Sequence, residues 1–502
     1  MIGSDPDRRP EAAPVPGLRL ILAGAAVLGA GAVLGQRLWI ALRQPLWFDE
    51  TWTGMVASAP DWNAFVREVW LDVNAPLYYL LMRAWSAVFG VSDLALKAPG
   101  LIAAALAGAL PLLIRVRGLS WEARLTWAVL LTAWWGVDTF LDARCYGLLL
   151  GLAVLQSLAF ARLIRDPSRC AALAWCAVAS AAILTQYYAI ALAAVQGLMF
   201  LALHRQRAVR AWPAALAFAP AFAWIVVHSP RLAQFATEDV AWHPTLSPLR
   251  VIDMIGFTLG PATWATLVIL GLVLAAAVVA PRLAASASRD EPAADMGPLI
   301  WTAASGAIAL GLVLASAMAR PTLTARYLIP EVPAMLLGVV LVARSSRRAH
   351  LAYLALAGLY FAIAICPPAA VSAALRSQSP YGLAAASDML RAQAVTDVTF
   401  IWDHPAAKVM APESLRRVGG FFFQRAGVPV RVTALNVDPA HDPNQQALAA
   451  AHGPRPGIIW IYDRTGRTAA AKFPPAIERS DPHWSCQTIG DGRIGSVACW
   501  RR

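Results

Sequence analysis

Apolar runs long enough to cross a hydrocarbon layer of about 30 Å, some 17 to 25 residues each, recur along nearly three quarters of the chain. They occupy residues 18–41, 94–114, 121–138, 145–163, 170–186, 188–204, 210–228, 264–281, 297–319, 328–344 and 350–366. In lipid a chain must satisfy its backbone N–H and C=O groups internally, so a succession of this kind folds as a bundle of membrane helices. A mean hydropathy of +0.55, with 58% hydrophobic and 14% charged residues, sets the same limit. The net charge of +12 does not mark a nucleic-acid partner. The arginines sit in short clusters between apolar runs, where they act as topology determinants.

Orientation follows from those clusters. Segment 77–90 carries Arg83 in its middle and is too short to span, so it reads as an interfacial or re-entrant helix. With eleven crossings and that one surface helix, Arg205, Arg207 and Arg210 face the cytoplasm, as do the other arginine-rich loops. The run from Leu20 to Gly35 is a retained first span rather than a signal peptide, since its apolar pattern continues through Ile40. The sequence therefore predicts an all-α polytopic domain over 1–366 in a bacterial cytoplasmic (inner) membrane. A small α/β domain over 367–502 follows on the extracytoplasmic side. Its β-branched runs at 395–402, 428–433 and 458–462 alternate with Ala-rich helical stretches. In that oxidising compartment Cys486 and Cys499 are expected to form a disulfide, whereas Cys145, Cys170, Cys176 and Cys366 lie in or beside apolar runs as small hydrophobes.

This topology collects the ionisable residues on one face. Asp49 and Glu50 follow the first span, and Asn74 to Tyr78 opens the surface helix. Asp142, Arg144 and Tyr146 precede a span, and Tyr187 and Tyr188 lie between two. Arg231, Glu238, Asp239 and His243 occupy a long loop from 229 to 261, and Arg326 and Tyr327 stand before another span. A carboxylate pair at the mouth of a span is costly unless it meets water, a cation or a substrate. The competing reading is a helix start, where acids favour the dipole. Arginines near span ends also serve as snorkelling anchors, and tyrosines there as an aromatic belt. His243 with Asp239 lacks a close third ligand, so a divalent cation stays open and no cofactor is called for.

The motifs Phe48-Asp49-Glu50, Asn74-Ala75-Pro76-Leu77-Tyr78-Tyr79, Asp142-Ala143-Arg144-Cys145-Tyr146, Gln186-Tyr187-Tyr188 and Ala325-Arg326-Tyr327-Leu328-Ile329-Pro330-Glu331-Val332-Pro333 occur in that order on one face. Together they resemble the GT-C superfamily of polyprenyl-phosphate-sugar-dependent glycosyltransferases, in the branch of protein O-mannosyltransferases and the lipid A aminoarabinose transferase. The likeness covers roughly residues 18–345. It departs at Asn74-Ala75, where relatives carry a basic residue or His before Pro, and at Lys97, where Arg is common. The resemblance implies an inverting transfer of a sugar from a polyprenyl-phosphate carrier to a glycan, lipid or protein hydroxyl. Asp49 would be the general base, tuned by Glu50, with Arg144 and Arg326 facing water and contacting the donor phosphate. Asn74, Tyr78, Asp142, Tyr146, Tyr187, Tyr188, Arg231, His243 and Tyr327 complete the expected substrate-binding set. The alternative is a transporter or flippase of a lipid-linked sugar, against which stand the absence of a hydropathy repeat and the gathering of charge at one surface.

Overall fold

The computed structural model describes residues 16–134, 142–237, 246–260, 296–319, 323–345, 349–365, 382–404, 407, 409–437, 441–463, 476–490 and 494–501. The expected run 264–281 and the residues Glu238, Asp239 and His243 lie outside them. The helices of the apolar part are α1 (Pro16–Ala41), α2 (Phe48–Ala57), α3 (Trp62–Leu71), α4 (Pro76–Phe89), α5 (Asp93–Leu113), α6 (Trp121–Thr132), α7 (Tyr146–Arg165), α8 (Arg169–Ile183), α9 (Ala189–His204), α10 (Gln206–Arg210), α11 (Ala219–Thr237), α12 (Pro248–Leu259), α13 (Gly297–Ala319), α14 (Val332–Arg344) and α15 (Ala349–Ile365). Tight 3-10 stretches at Trp212–Phe218 and Ala325–Glu331 lead into α11 and α14.

Polar caps fix where these helices begin. The side chains of Ser92, Ser120, Ser168 and Ser247 accept the third backbone N–H of α5, α6, α8 and α12, each worth about 1 kcal/mol. Pro76 opens α4 at a position where its missing N–H is harmless. Among the described residues six helices are long and apolar enough to cross a membrane: Leu22–Ala41, Asp93–Leu113, Tyr146–Arg165, Trp212–Phe235, Gly297–Met318 and Ala325–Arg344. The runs expected at 170–186, 188–204 and 350–366 form apolar helices of 15, 16 and 17 described residues, outside that set of six. Segment 76–89 is a 14-residue helix outside the spanning set. The loop expected over 229–261 changes, since Pro248–Leu259 within it is helical. Arg231, assigned to a loop, lies inside α11, which runs on through Pro230 to Thr237.

Close helix contact rests on small residues, as membrane packing favours. A Cβ on Gly147 of α7 would sit 2.2 Å from the carbonyl oxygen of Gly100 in α5. Any side chain there must push the two helices apart.

The C-terminal part folds as α16 (Leu383–Ala392), β1 (Asp397–Asp403), α17 (Pro412–Arg425), β2 (Arg431–Leu435), α18 (Pro443–Ala450), β3 (Pro456–Asp463), α19 (Ile477–Ser480), β4 (Trp484–Gly490) and β5 (Ile494–Arg501). The sheet order is β2-β1-β3-β5-β4. β1 is parallel to β2 and β3, and β5 is antiparallel to β3 and β4. Cys486 and Cys499 are direct cross-strand partners, Cα–Cα 4.1 Å, joined by a disulfide.

This layer is bolted to the helices beneath it. Ser414 and Arg417 of α17 donate to the carboxylate of Glu68 in α3, at 2.6 and 3.2 Å, and Arg417 also donates to the Met55 carbonyl at the end of α2. Glu68 is buried, and removing one partner of such a pair costs about 3–5 kcal/mol. The ring of Phe421 occupies the space a side chain at Gly54 would take, 2.5 Å from an added Cβ. One apolar core therefore runs from Phe48, Trp52 and Met55 into Phe421 and Phe422.

Candidate active site

The first turn of α2 follows an extended residue, Trp47, and carries two adjacent acids. Neighbouring helical side chains diverge by ~100°, and these two enter different surroundings. Glu50 is 1% exposed. One of its oxygens accepts the Trp47 N–H at 2.8 Å, and the other accepts the N–H of Ala143, at 2.6 Å and 93 residues along the chain. Burial pushes this carboxyl up to about 8, while Lys97 and the two N–H groups oppose that shift and Asp142 adds to it. Lys97, itself buried, donates to the Gln44 carbonyl at 2.7 Å. Glu50 thus ties the start of α2 to the loop before α7.

Asp49 points the other way. Its side chain is 32% exposed, and one oxygen lies 3.5 Å from a guanidinium nitrogen of Arg326. The Arg326 guanidinium stands over the rings of Trp47 and Tyr146, at 5.8 and 5.5 Å. Next to it Tyr327 stacks on Tyr188, centroids 5.0 Å apart. Asp49, Arg326, Tyr146, Tyr188 and Tyr327 come together from four separate segments, and Trp47, which the motif reading did not single out as a site residue, joins them.

Arg144 belongs to the same place in a different manner. It is 9% exposed rather than water-facing, and it donates to the backbone carbonyl of Asp49 at 3.2 Å. It fixes the acid's main chain. Asp142 is half-buried beside it.

The remaining expected residues divide. Tyr78 is buried, its hydroxyl without a hydrogen-bond partner among the described residues. Asn74 donates to Asp72 at 3.0 Å, and Asp72 also accepts the Val73 N–H and the Tyr79 hydroxyl. Asn74 therefore shapes the turn into α4. Tyr187 accepts from the Trp224 indole at 2.7 Å and pairs with His228 at 2.6 Å, while the other His228 nitrogen reaches the Trp70 carbonyl. Arg231 donates to the carbonyls of Leu71 and Val409 and to Gln234. His228 and Arg231 hold α11 against α3, Tyr187 ties α11 to the turn before α9, and Arg231 adds a tie to the C-terminal layer. No sequence signal marked His228 for this role, because a lone histidine in an apolar run is uninformative.

A further neighbour comes from the C-terminal layer. Trp402, at the end of β1, packs on Phe48 with ring centroids 4.9 Å apart, and His404 stacks on Trp402. The carboxyl end of β1 thus approaches the first turn of α2. Among the described residues no group of three or more His, Cys, Asp or Glu side chains is placed to hold a metal ion.

No family model matches the sequence, and no curated protein matches it significantly. Solved structures do. ArnT from Cupriavidus metallidurans bound to undecaprenyl phosphate aligns over 96% of this chain and 98% of its own, at 14% identity and a TM-score of 0.50. The apo state of the same protein aligns over the same shares at 12% identity and a TM-score of 0.53. At such identities the likeness is one of fold, and it extends through the C-terminal sheet as well as the helices. The chain therefore has an ArnT-like fold, a part with several helices long and apolar enough to cross a membrane and a small five-stranded sheet at its C-terminus.

Proposed function

We propose that this chain is an integral-membrane inverting glycosyltransferase that moves a sugar from a polyprenyl-phosphate carrier to an acceptor hydroxyl. The observation that carries the reading is the part-exposed Asp49 carboxylate beside the Arg326 guanidinium, in a bay walled by Trp47, Tyr146, Tyr188 and Tyr327. The ArnT structure with undecaprenyl phosphate supports a lipid-phosphate donor by analogy of fold.

A sugar on a polyprenyl phosphate already has a good leaving group, so the barrier lies in making the acceptor nucleophilic and aligning it. Asp49 takes the acceptor proton as general base. Arg326 stabilises the charge that grows on the departing phosphate, and a planar guanidinium meets two phosphate oxygens at once. Arg326 pairs with Asp49. A donor phosphate that draws the guanidinium to itself leaves the carboxylate ready for a proton. Arg144 acts through the backbone, keeping Asp49 in place.

A double displacement would need a second carboxylate about 5 Å away as nucleophile. Glu50 does not serve, since both its oxygens are engaged by backbone N–H groups. On this reading the site and the C-terminal layer, residues 367–502, face the extracytoplasmic side of a bacterial inner membrane, where sugars arrive on lipid carriers. The arginine clusters between spans support that orientation.

The test is the glycan and lipid profile of cells lacking the protein. Wild type restores the missing sugar, and Asp49→Asn does not. Full restoration by Asp49→Asn, or a product that keeps the donor's anomeric configuration, refutes the proposal.

A further inference from the structure

A second set of cations lies at the end of the helices away from Asp49. Tyr188, at the start of α9, belongs to the bay, and His204, at its other end, binds the Ile164 carbonyl near the far end of α7. There the chain turns on a single residue, Arg205, held at φ +40°, a left-handed conformation that side-chain-bearing residues seldom adopt. α10 follows at once. Its Ala208 is buried while Arg205, Arg207 and Arg210 are exposed. None of the three guanidinium groups makes an ion pair or a side-chain hydrogen bond with the described residues.

Beneath this corner runs a groove of about 550 Å³ between α8, α9, α10 and the 3-10 stretch Trp212–Phe218. Every lining residue is apolar or small, Trp175, Gly197, Phe200, Leu201, Val209 and Trp212 among them. It extends up α9 from Leu201 to Ile190, eleven residues, or roughly 16 Å at 1.5 Å per residue. Val209 and Trp212 are 63% and 64% exposed at its rim. A long apolar slot with three unengaged cations at one end has the polarity of one ligand type. We infer that it is a site for an anionic glycerophospholipid drawn from the leaflet opposite the Asp49 bay. One acyl chain lies along α9, and the phosphate is held by the Arg205–Arg207–Arg210 corner.

The chemistry explains the parts together. Basic pockets between membrane helices select anionic headgroups, and Arg offers a forked donor pair to a phosphate. The turn at Arg205 joins two lining elements, since Leu201 before it and Ala208 and Val209 after it all border the groove. Arginines that only set topology need no groove beneath them.

The experiment uses the full-length protein in nanodiscs of equimolar phosphatidylglycerol and phosphatidylcholine, with retained lipids counted by native mass spectrometry after release. Wild type retains one phosphatidylglycerol in preference to phosphatidylcholine, by on the order of fivefold for each arginine engaged. The triple variant Arg205→Gln, Arg207→Gln, Arg210→Gln keeps a lipid but loses the preference. Gly197→Leu fills the slot and loses the retained lipid while the arginines remain. Arg207→Gln with Arg210→Gln, both exposed and outside the strained turn, gives an intermediate preference and covers the case in which the Arg205 change impairs folding. An unchanged preference in the arginine variants, or retention unchanged by Gly197→Leu, overturns the site. Displacement of the lipid by millimolar inorganic phosphate also overturns it, since a headgroup-only contact needs no groove.

Discussion

The two sides of the first turn of α2 carry the same chemistry in opposite settings. On one side Asp49 is a third exposed and meets the Arg326 guanidinium among aromatic rings. On the other Glu50 is sealed from water and held by two backbone N–H groups, one local and one from the loop before α7. A buried carboxyl whose oxygens both accept backbone N–H groups anchors a helix and cannot reach an incoming hydroxyl. A part-exposed carboxylate paired with a single cation can. The difference teaches that adjacent acids are assigned their roles by what each side of the turn packs against.

The largest expected effect comes from breaking the Asp49 side. Asp49→Asn keeps the shape and removes the base, and turnover should fall by about 10²–10⁴ with donor affinity nearly unchanged. Single-turnover kinetics alongside donor binding separate the two, and equal losses in both would assign Asp49 to binding instead. Next is Arg326→Ala, which on the proposed function removes a hydrogen-bond donor from the departing phosphate. A loss of roughly 10²–10³ in kcat is expected, with the melting temperature near wild type. Arg326→Lys should recover only part, and full recovery would show that a point charge suffices.

The Glu50 side should fail differently. Glu50→Gln turns an amide NH₂ toward one of the two N–H donors, costing about 1–3 kcal/mol of stability. It should register first as a lower melting temperature and only secondarily in turnover. The pH response sharpens the contrast. Burial raises the folded Glu50 carboxyl from 4.5 to about 8, so between these values the native state binds more protons than the unfolded one. Stability from this group is therefore fully present below the unfolded value and is lost as pH rises toward 8. Melting curves across that window should slope downward in wild type and lie flatter in Glu50→Gln. Identical slopes would mean that the carboxyl is ionised throughout.

The smallest effect is expected at Tyr187, which the motif pattern placed among substrate contacts and the structure engages with Trp224 and His228. Tyr187→Phe should cost about 1 kcal/mol of stability, the net worth of a lost hydrogen bond, with turnover unaltered. A drop in acceptor affinity would return Tyr187 to the bay.

Hydropathy by itself determined that the chain is a helical membrane bundle, because lipid leaves a backbone no other way to satisfy its hydrogen bonds. The β-branched runs after residue 394 marked a sheet, since strand propensity and period-2 patterning are local properties. Local motifs also singled out Asp49, Arg326, Tyr146, Tyr188 and Tyr327, which the fold brings together. Only the tertiary structure decided that Arg144 lies behind Asp49 rather than in front of it, because burial depends on which elements close over a side chain. It alone turned Arg231 from a loop residue into a tie among α11, α3 and the C-terminal layer. It alone set the layer on α2 through Glu68, Arg417 and Phe421. Those contacts join residues from 95 to more than 300 positions apart, and no local pattern encodes such a meeting. The separation of Asp49 from Glu50 has the same origin. Their order along the chain is shared, and only the fold gives one of them the Ala143 N–H and the other the Arg326 guanidinium.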